Sequence, residues 1–143
     1  MISCDTNLLL HAFNIQSHLH NQAKDFLRAQ AKNRQFVICE LILIELYVLL
    51  RNPAVVQKPL SSEKAVEVCR KYRQNQHWAV VDYPGGLMNE IWKYAAQTDI
   101  GRRAIFDARL ALTLQYHGVT EFATRNTKHF QGFGFKRVWD PLE

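Results

Sequence analysis

Short apolar runs alternate along this chain with longer stretches of helical spacing. MISC at 1–4, QFVIC at 35–39, WAVV at 78–81 and EFAT at 121–124 are compact runs dominated by apolar residues, as short buried strands require. FKRVW at 135–139 mixes apolar and basic positions and reads as a last, edge-like strand. Between these runs the apolar residues recur every three or four positions, the helical period. Ala23, Phe26 and Leu27 mark a helix over 20–32, and Ala65, Val68, Cys69 and Tyr72 mark one over 61–74. Ile105, Ala108, Leu112 and Tyr116 mark another over 105–117, and further helices are predicted over 41–50 and 87–97.

Punctuation residues support these bounds. Asn52-Pro53 ends the helix over 41–50, because proline disfavours helical backbone in the residue before it. Ser61 or Ser62 suits the N-cap of the next helix, Pro84-Gly85-Gly86 is a turn, and Gly118 suits the position just past a helix end. Residues 5–7 are predicted as a turn leaving the first strand. Strands alternating with helices imply an α/β protein whose mainly parallel sheet is covered on both faces. No repeat, low-complexity tract or linker divides the chain, so one domain is expected over 1–143, long enough for a core of its own.

The acids interrupt this pattern. Asp5 stands directly behind an apolar strand, and a carboxylate there is costly unless it is paired, hydrogen-bonded or metal-bound. It either caps the turn or serves as a ligand. In open α/β sheets ligands gather beyond the carboxyl ends of strands, which is where Asp5 falls. Glu45 is the one acid inside LILIELYVLL, a segment with almost no polar face. Glu40, at the strand-to-helix junction, suits the positive end of the helix dipole. Asp107 lies near the start of the apolar helix RRAIFDARLALTLQYHG, either as a dipole or arginine partner or as a third member of a site. Thr124, Arg125 and Asn126 form a second polar cluster behind the strand EFAT. Carboxylates facing one point repel each other unless a cation neutralises them. Hard oxygen donors suit Mg²⁺ or Mn²⁺, which also bind phosphate oxygens, so the chemistry implied is phosphodiester hydrolysis.

Composition adjusts this picture modestly. The net charge of +5 is compatible with a polyanionic partner such as RNA. Cys4, Cys39 and Cys69 form no CxxC pair and read as small buried hydrophobes of a reducing cytoplasm. The longest apolar run is broken by Glu45 and falls short of the roughly 20 residues a membrane span needs. No secretory signal is expected at the amino terminus. His18 and His20 lack a third zinc-type ligand nearby and read as surface residues. Trp78, Trp92 and Trp139 read as core or interface.

CDTNLLL, IELYVLL, FDARLALTLQYHG and FATRNTKHF, in this order and spacing, resemble the PIN-domain family, and within it the VapC-type toxins of bacterial toxin–antitoxin pairs. The resemblance runs nearly end to end. It implies a three-layer α/β/α fold with a central parallel sheet, and a Mg²⁺- or Mn²⁺-dependent endoribonuclease. Asp5, Glu45 and Asp107 fall on the family's first three acids. Asn126 stands where many members carry a further aspartate, and His129 where some carry an acid. Thr6, Asn7 and Thr124 match polar positions that orient the ligands. Arg102, Arg103, Arg125 and Lys128 are candidates for RNA backbone contact. The resemblance further implies a separately encoded antitoxin that blocks the acidic site, and a homodimer. Two other readings stand beside it: a PIN-like scaffold that grips RNA or a partner without cutting, and, ranked lower, a haloacid-dehalogenase-type phosphatase, whose DxD motif Asn7 interrupts.

Overall fold

A computed structural model describes residues 1–143. The order of elements is β1 (Ile2–Cys4), α1 (Thr6–Phe13), α2 (His20–Gln30), β2 (Val37–Cys39), α3 (Glu40–Leu50), α4 (Ser62–Arg73), β3 (Ala79–Val81), α5 (Met88–Ala95), α6 (Ala104–Tyr116), β4 (Glu121–Ala123), α7 (Thr127–Phe130) and β5 (Arg137–Trp139). β1 pairs with β4, β4 with β5, and β2 with β3, all parallel. A parallel bridge from Ile2 to Phe36 joins β1 to β2. The strand order is therefore β3-β2-β1-β4-β5, and the chain reverses its direction of growth between β1 and β4.

The sheet is buried from both sides. Successive strand residues point to opposite faces, and Val37, Ile38 and Cys39 are all fully buried. Such strands need continuous apolar runs rather than alternation, which is why QFVIC and EFAT were legible. The edges are less covered: Ala79 and Arg137 are exposed. α1 packs on α2 and α3, α3 on α4, and α5 on α6. Phe122 is fully buried on the interior strand β4, its ring 4.7 Å from that of Phe130 and 5.4 Å from that of Phe135.

Local signals held where they were chemical. Ser61 caps α4, its Oγ accepting from the Lys64 N–H at 3.3 Å. Gly118 follows α6 with φ +90°, a conformation that favours glycine. Cys4 and Cys39 are buried, and none of the three cysteines is paired. Trp78 is buried, whereas Trp92 is 57% exposed. Two helices were not expected. Residues 6 and 7, expected in a turn, instead open α1, a helix capped by Asp5 and buried around much of its circumference at Thr6, Leu8, Leu9 and Leu10. The short α7 follows Asn126, where its four residues carry too little periodicity to announce a helix. No helix is long and apolar enough to cross a membrane.

Truncating Phe122 empties a buried aromatic contact between the sheet and the segment 130–135. Phe122→Ala is expected to cost about 3–5 kcal/mol, read as a lower midpoint in equilibrium urea unfolding with an unchanged slope.

Candidate active site

β1 and β4 lie side by side in register, Cys4 opposite Ala123, so the next residue of each, Asp5 and Thr124, emerge together at the same sheet edge. The ladder continues past the strand ends: the Asp5 N–H donates to the Ala123 carbonyl at 2.9 Å, and the Thr124 N–H to the Trp139 carbonyl at 2.9 Å. Both backbones are thus fixed before any side chain acts. The Thr124 hydroxyl then donates to Asp5 Oδ2 at 2.8 Å, and the Thr6 N–H donates to Asp5 Oδ1 at 2.8 Å. Asp5 is the N-cap of α1, so its carboxylate faces the positive end of that helix. The two readings of Asp5 are compatible: a cap leaves one lone pair on each oxygen free.

Glu45 joins through Thr6. The fully buried Thr6 hydroxyl donates to Glu45 Oε2 at 3.0 Å, tying α3 to the head of α1. Glu45 does not sit in a wholly buried helix. α3 turns one side to solvent, with Ile44 63% and Val48 57% exposed, and Glu45 lies on that side. Glu40 pairs with Arg73 at 2.8 Å, away from the other acids. Asp107 comes from the first turn of α6, with His129 Nδ1 3.6 Å from its Oδ2. Asp5, Asn7, Glu45, Asp107, Asn126 and His129 line one cleft of about 470 Å³.

Burial pushes the Asp5 carboxyl above its ordinary range, against the opposing pull of the Thr124 and Thr6 hydrogen bonds and the charge of His129. Glu45 is raised chiefly by partial burial and further by repulsion from Asp5 and Asp107, while Thr6 and Arg103 pull it down. Asp107 is raised by burial and by Asp5, with His129 and Arg103 opposing. Glu45 and Asp107 are therefore hindered in ionising by neighbouring carboxylates as well as by burial, as acids sharing one site are. A divalent cation fits this donor set of carboxylate and amide oxygens, and would relieve the repulsion. No three acidic, histidine or cysteine side chains close tightly enough to enclose an ion unaided. A cation would be held by one or two carboxylates and by water, the mode Mg²⁺ favours.

The basic candidates separate. Arg103 lines the cleft, but Arg102, Arg125 and Lys128 do not. Arg125 Nε is instead bound to Asp140 Oδ2 at 3.1 Å. The structure adds Phe106 and Arg109 to the cleft wall, neither singled out from the sequence. The available signal was helical spacing, since Arg103, Phe106 and Leu110 share the Asp107 side of α6 at three- and four-residue intervals.

A parallel α/β fold with acids gathered at the strand-order reversal places the candidate site where proteins of this class bind their ligands. The chain belongs to the PIN-domain family, whose model matches residues 2–136. It is 52% identical over 142 residues to ribonuclease VapC24 of Mycobacterium tuberculosis strain H37Rv, covering 99% of this chain and 97% of that protein. Its fold is similar to the crystal structure of Mycobacterium tuberculosis VapC20, a sarcin-ricin-loop-cleaving toxin, with a TM-score of 0.71 at 16% identity over 94% of this chain and 96% of that one. It is also similar to a toxin–antitoxin complex from Klebsiella pneumoniae, with a TM-score of 0.62 at 21% identity over 99% and 98%. The α/β fold with its parallel sheet is thus that of the VapC toxins.

A carboxyl raised on folding keeps its proton longer in the native state. The native state then binds more protons above the ordinary carboxyl range near pH 4, and stability falls as pH rises through the raised values. Asp107→Asn is therefore expected to raise the melting temperature in EDTA at pH 7, by about 2–4 °C for each kcal/mol of repulsion relieved. The gain should vanish near pH 3.5, as read by scanning calorimetry.

Proposed function

We propose that this chain is a Mg²⁺- or Mn²⁺-dependent endoribonuclease, the toxin of a toxin–antitoxin pair, which hydrolyses RNA phosphodiester bonds at the cleft between β1, β4, α3 and α6. One observation carries the reading: Asp5, Glu45, Asp107 and Asn126 meet around one cleft, in a chain 52% identical to a ribonuclease.

Asp5 and Asp107 would hold the ion, and Glu45 would serve either as a third ligand or as the holder of the attacking water. When bound, the ion neutralises phosphate charge and lowers the pKa of water. Thr124 and Thr6 keep Asp5 and Glu45 in position, so the carboxylates do not reorganise as the phosphate enters. Asn126 contributes an amide in place of a charge, orienting water or the scissile phosphate. In hydrolysis the water oxygen forms a bond to phosphorus while one ester P–O bond breaks, and the leaving oxygen takes up a proton. Arg103 faces a phosphate from within the cleft. Arg102 and Lys128, outside the cleft, are candidates for contact with the RNA backbone beyond it, as is Arg125 if it exchanges Asp140 for a phosphate; such contacts fix position without reading sequence.

The PIN-like relatives solved as complexes, among them the toxin–antitoxin complex of Klebsiella pneumoniae, support a separately encoded antitoxin as partner, and we include a homodimer in the reading. The three free cysteines suit action in a reducing cytoplasm. A non-cleaving scaffold is the second reading, favoured by the uncharged Asn126. Equal RNA binding with Mg²⁺ and with EDTA, and no product, would select it.

Asp5→Asn and Asp107→Asn, with folding verified by circular dichroism, are expected to lower RNA cleavage at least 100-fold, on the order of the several kcal/mol an ion contributes. Folded variants that cut as fast as the unaltered chain refute the assignment. Thr124→Val removes a hydrogen bond that favours ionised Asp5, so the Asp5 carboxyl rises further. Cleavage at pH 7 should fall about 10- to 100-fold, and the acid limb of the pH–rate profile should move to higher pH.

A further inference from the structure

Phe106 is out of place by ordinary folding logic. It exposes 53% of its surface while forming part of the wall of the acidic cleft. The other largely exposed aromatic side chains, Trp92 and Tyr116, lie outside that wall. Two guanidinium groups bracket the Phe106 ring: Arg103 Cζ stands 5.4 Å and Arg109 Cζ 5.7 Å from its centroid. Neither arginine takes part in any of the protein's ion pairs, and Arg109 Nε is buried without a hydrogen-bond partner. Two cations outside any close ion pair therefore stand against an exposed apolar ring, beside the acids. Arg103 is close enough to act on the ionisation of both Glu45 and Asp107. Spacing explains the arrangement, since residues three apart on α6 lie on neighbouring parts of one face.

This combination suits one class of ligand. A flat apolar ring takes a nucleobase face to face, and flanking cations take the phosphates on either side, as proteins that hold single strands do. In a duplex both faces of each base are already stacked, so only an unpaired base offers its face. An acidic protein segment satisfies the arginines but leaves the ring without a flat counterpart.

We propose that Phe106 is the stacking platform for one unpaired base next to the scissile phosphate, with Arg103 and Arg109 gripping the adjoining phosphates, so that the site selects single-stranded or looped RNA. This rests on the reading of the chain as a ribonuclease. Phe106 is a specificity and positioning residue, since no proton or bond passes through it. Stacking present alike in the ground state and the transition state alters KM and leaves kcat nearly constant.

The test uses the full chain with Phe106→Ala, Phe106→Leu and Phe106→Tyr. Because the ring is exposed, melting temperatures should match the unaltered protein. On a single-stranded oligoribonucleotide, Ala and Leu should raise KM about 5- to 100-fold with kcat within about two-fold, and Tyr should restore KM. Arg103→Gln and Arg109→Gln should each flatten the plot of log affinity against log salt by about 0.7, and the Phe106 variants should not. Binding of an oligoribonucleotide carrying one 2-aminopurine, followed in EDTA, reads stacking without cleavage: quenching with Phe and Tyr, and loss with Ala and Leu. Unchanged KM and quenching in Phe106→Ala overturn the proposal, as does a Leu variant equal to Phe, which would make the ring a mere apolar wall. So does a Phe106→Ala chain with intact RNA affinity and weakened binding of a protein partner. If the unaltered chain quenches 2-aminopurine through Phe106 yet cuts no RNA, the nuclease reading fails while the stacking platform stands.

Discussion

The candidate site depends on one hydrogen bond across a strand boundary, from the Thr124 hydroxyl to Asp5 Oδ2 at 2.8 Å. It spans 119 residues of sequence and closes only because β1 and β4 run parallel, adjacent and in register. A buried carboxylate at that point needs donors, since an isolated one is among the costliest groups a core can hold. Thr124 supplies one donor and the first N–H of α1 the other. The Asn126 N–H donates in turn to the Thr124 hydroxyl oxygen at 3.0 Å, and Thr6 passes the arrangement on to Glu45. The acids stand in a hydrogen-bonded frame that begins in the sheet.

That frame holds the carboxylates near one another although their charges disagree. Asp5, Glu45 and Asp107 are each harder to ionise than a free carboxyl, all three first through burial, and Glu45 and Asp107 further through neighbouring carboxylates. An arrangement that opposes its own ionisation is of little use to folding, and is a common mark of a functional site. Here the conflict has a direct resolution in a divalent cation, and a phosphate chain is the natural further ligand. Arg103, Phe106 and Arg109 then give the cleft a side that is cationic and flat, opposite in character to the acids. One wall of α6 carries both characters, because Asp107 follows Phe106 directly and the arginines lie about one turn to either side.

Much of the fold could be read along the chain. Apolar runs such as QFVIC had to be strands covered on both faces, and the stripe through Ala65, Val68, Cys69 and Tyr72 had to be a helix. The expected sheet, its parallel sense and its edge strand β5 all appear. α1 is not legible because TNLLLHAF follows Asp5 without a polar gap, and three consecutive leucines carry no helical period. The environment of Glu45 was misjudged as well. LILIELYVLL is apolar all round, yet Ile44 and Val48 face solvent, which hydrophobicity alone cannot reveal. Of the four basic residues expected to contact RNA only Arg103 reaches the cleft; Arg125 is taken by Asp140, a residue whose approach depends on where the chain returns after β5.

By itself, the sequence determined the kinds of element, their order, and the isolation of Asp5, Glu45 and Asp107 among apolar neighbours, because period and burial cost are local properties of a chain. It also carried the family likeness in the spacing of its four motifs. Only the tertiary structure decided which polar residues face one another: that Thr124 holds Asp5, that Thr6 holds Glu45, and that Phe106 stands exposed between two unpaired arginines. Those relations depend on strand order and helix docking, which set distances between residues far apart along the chain.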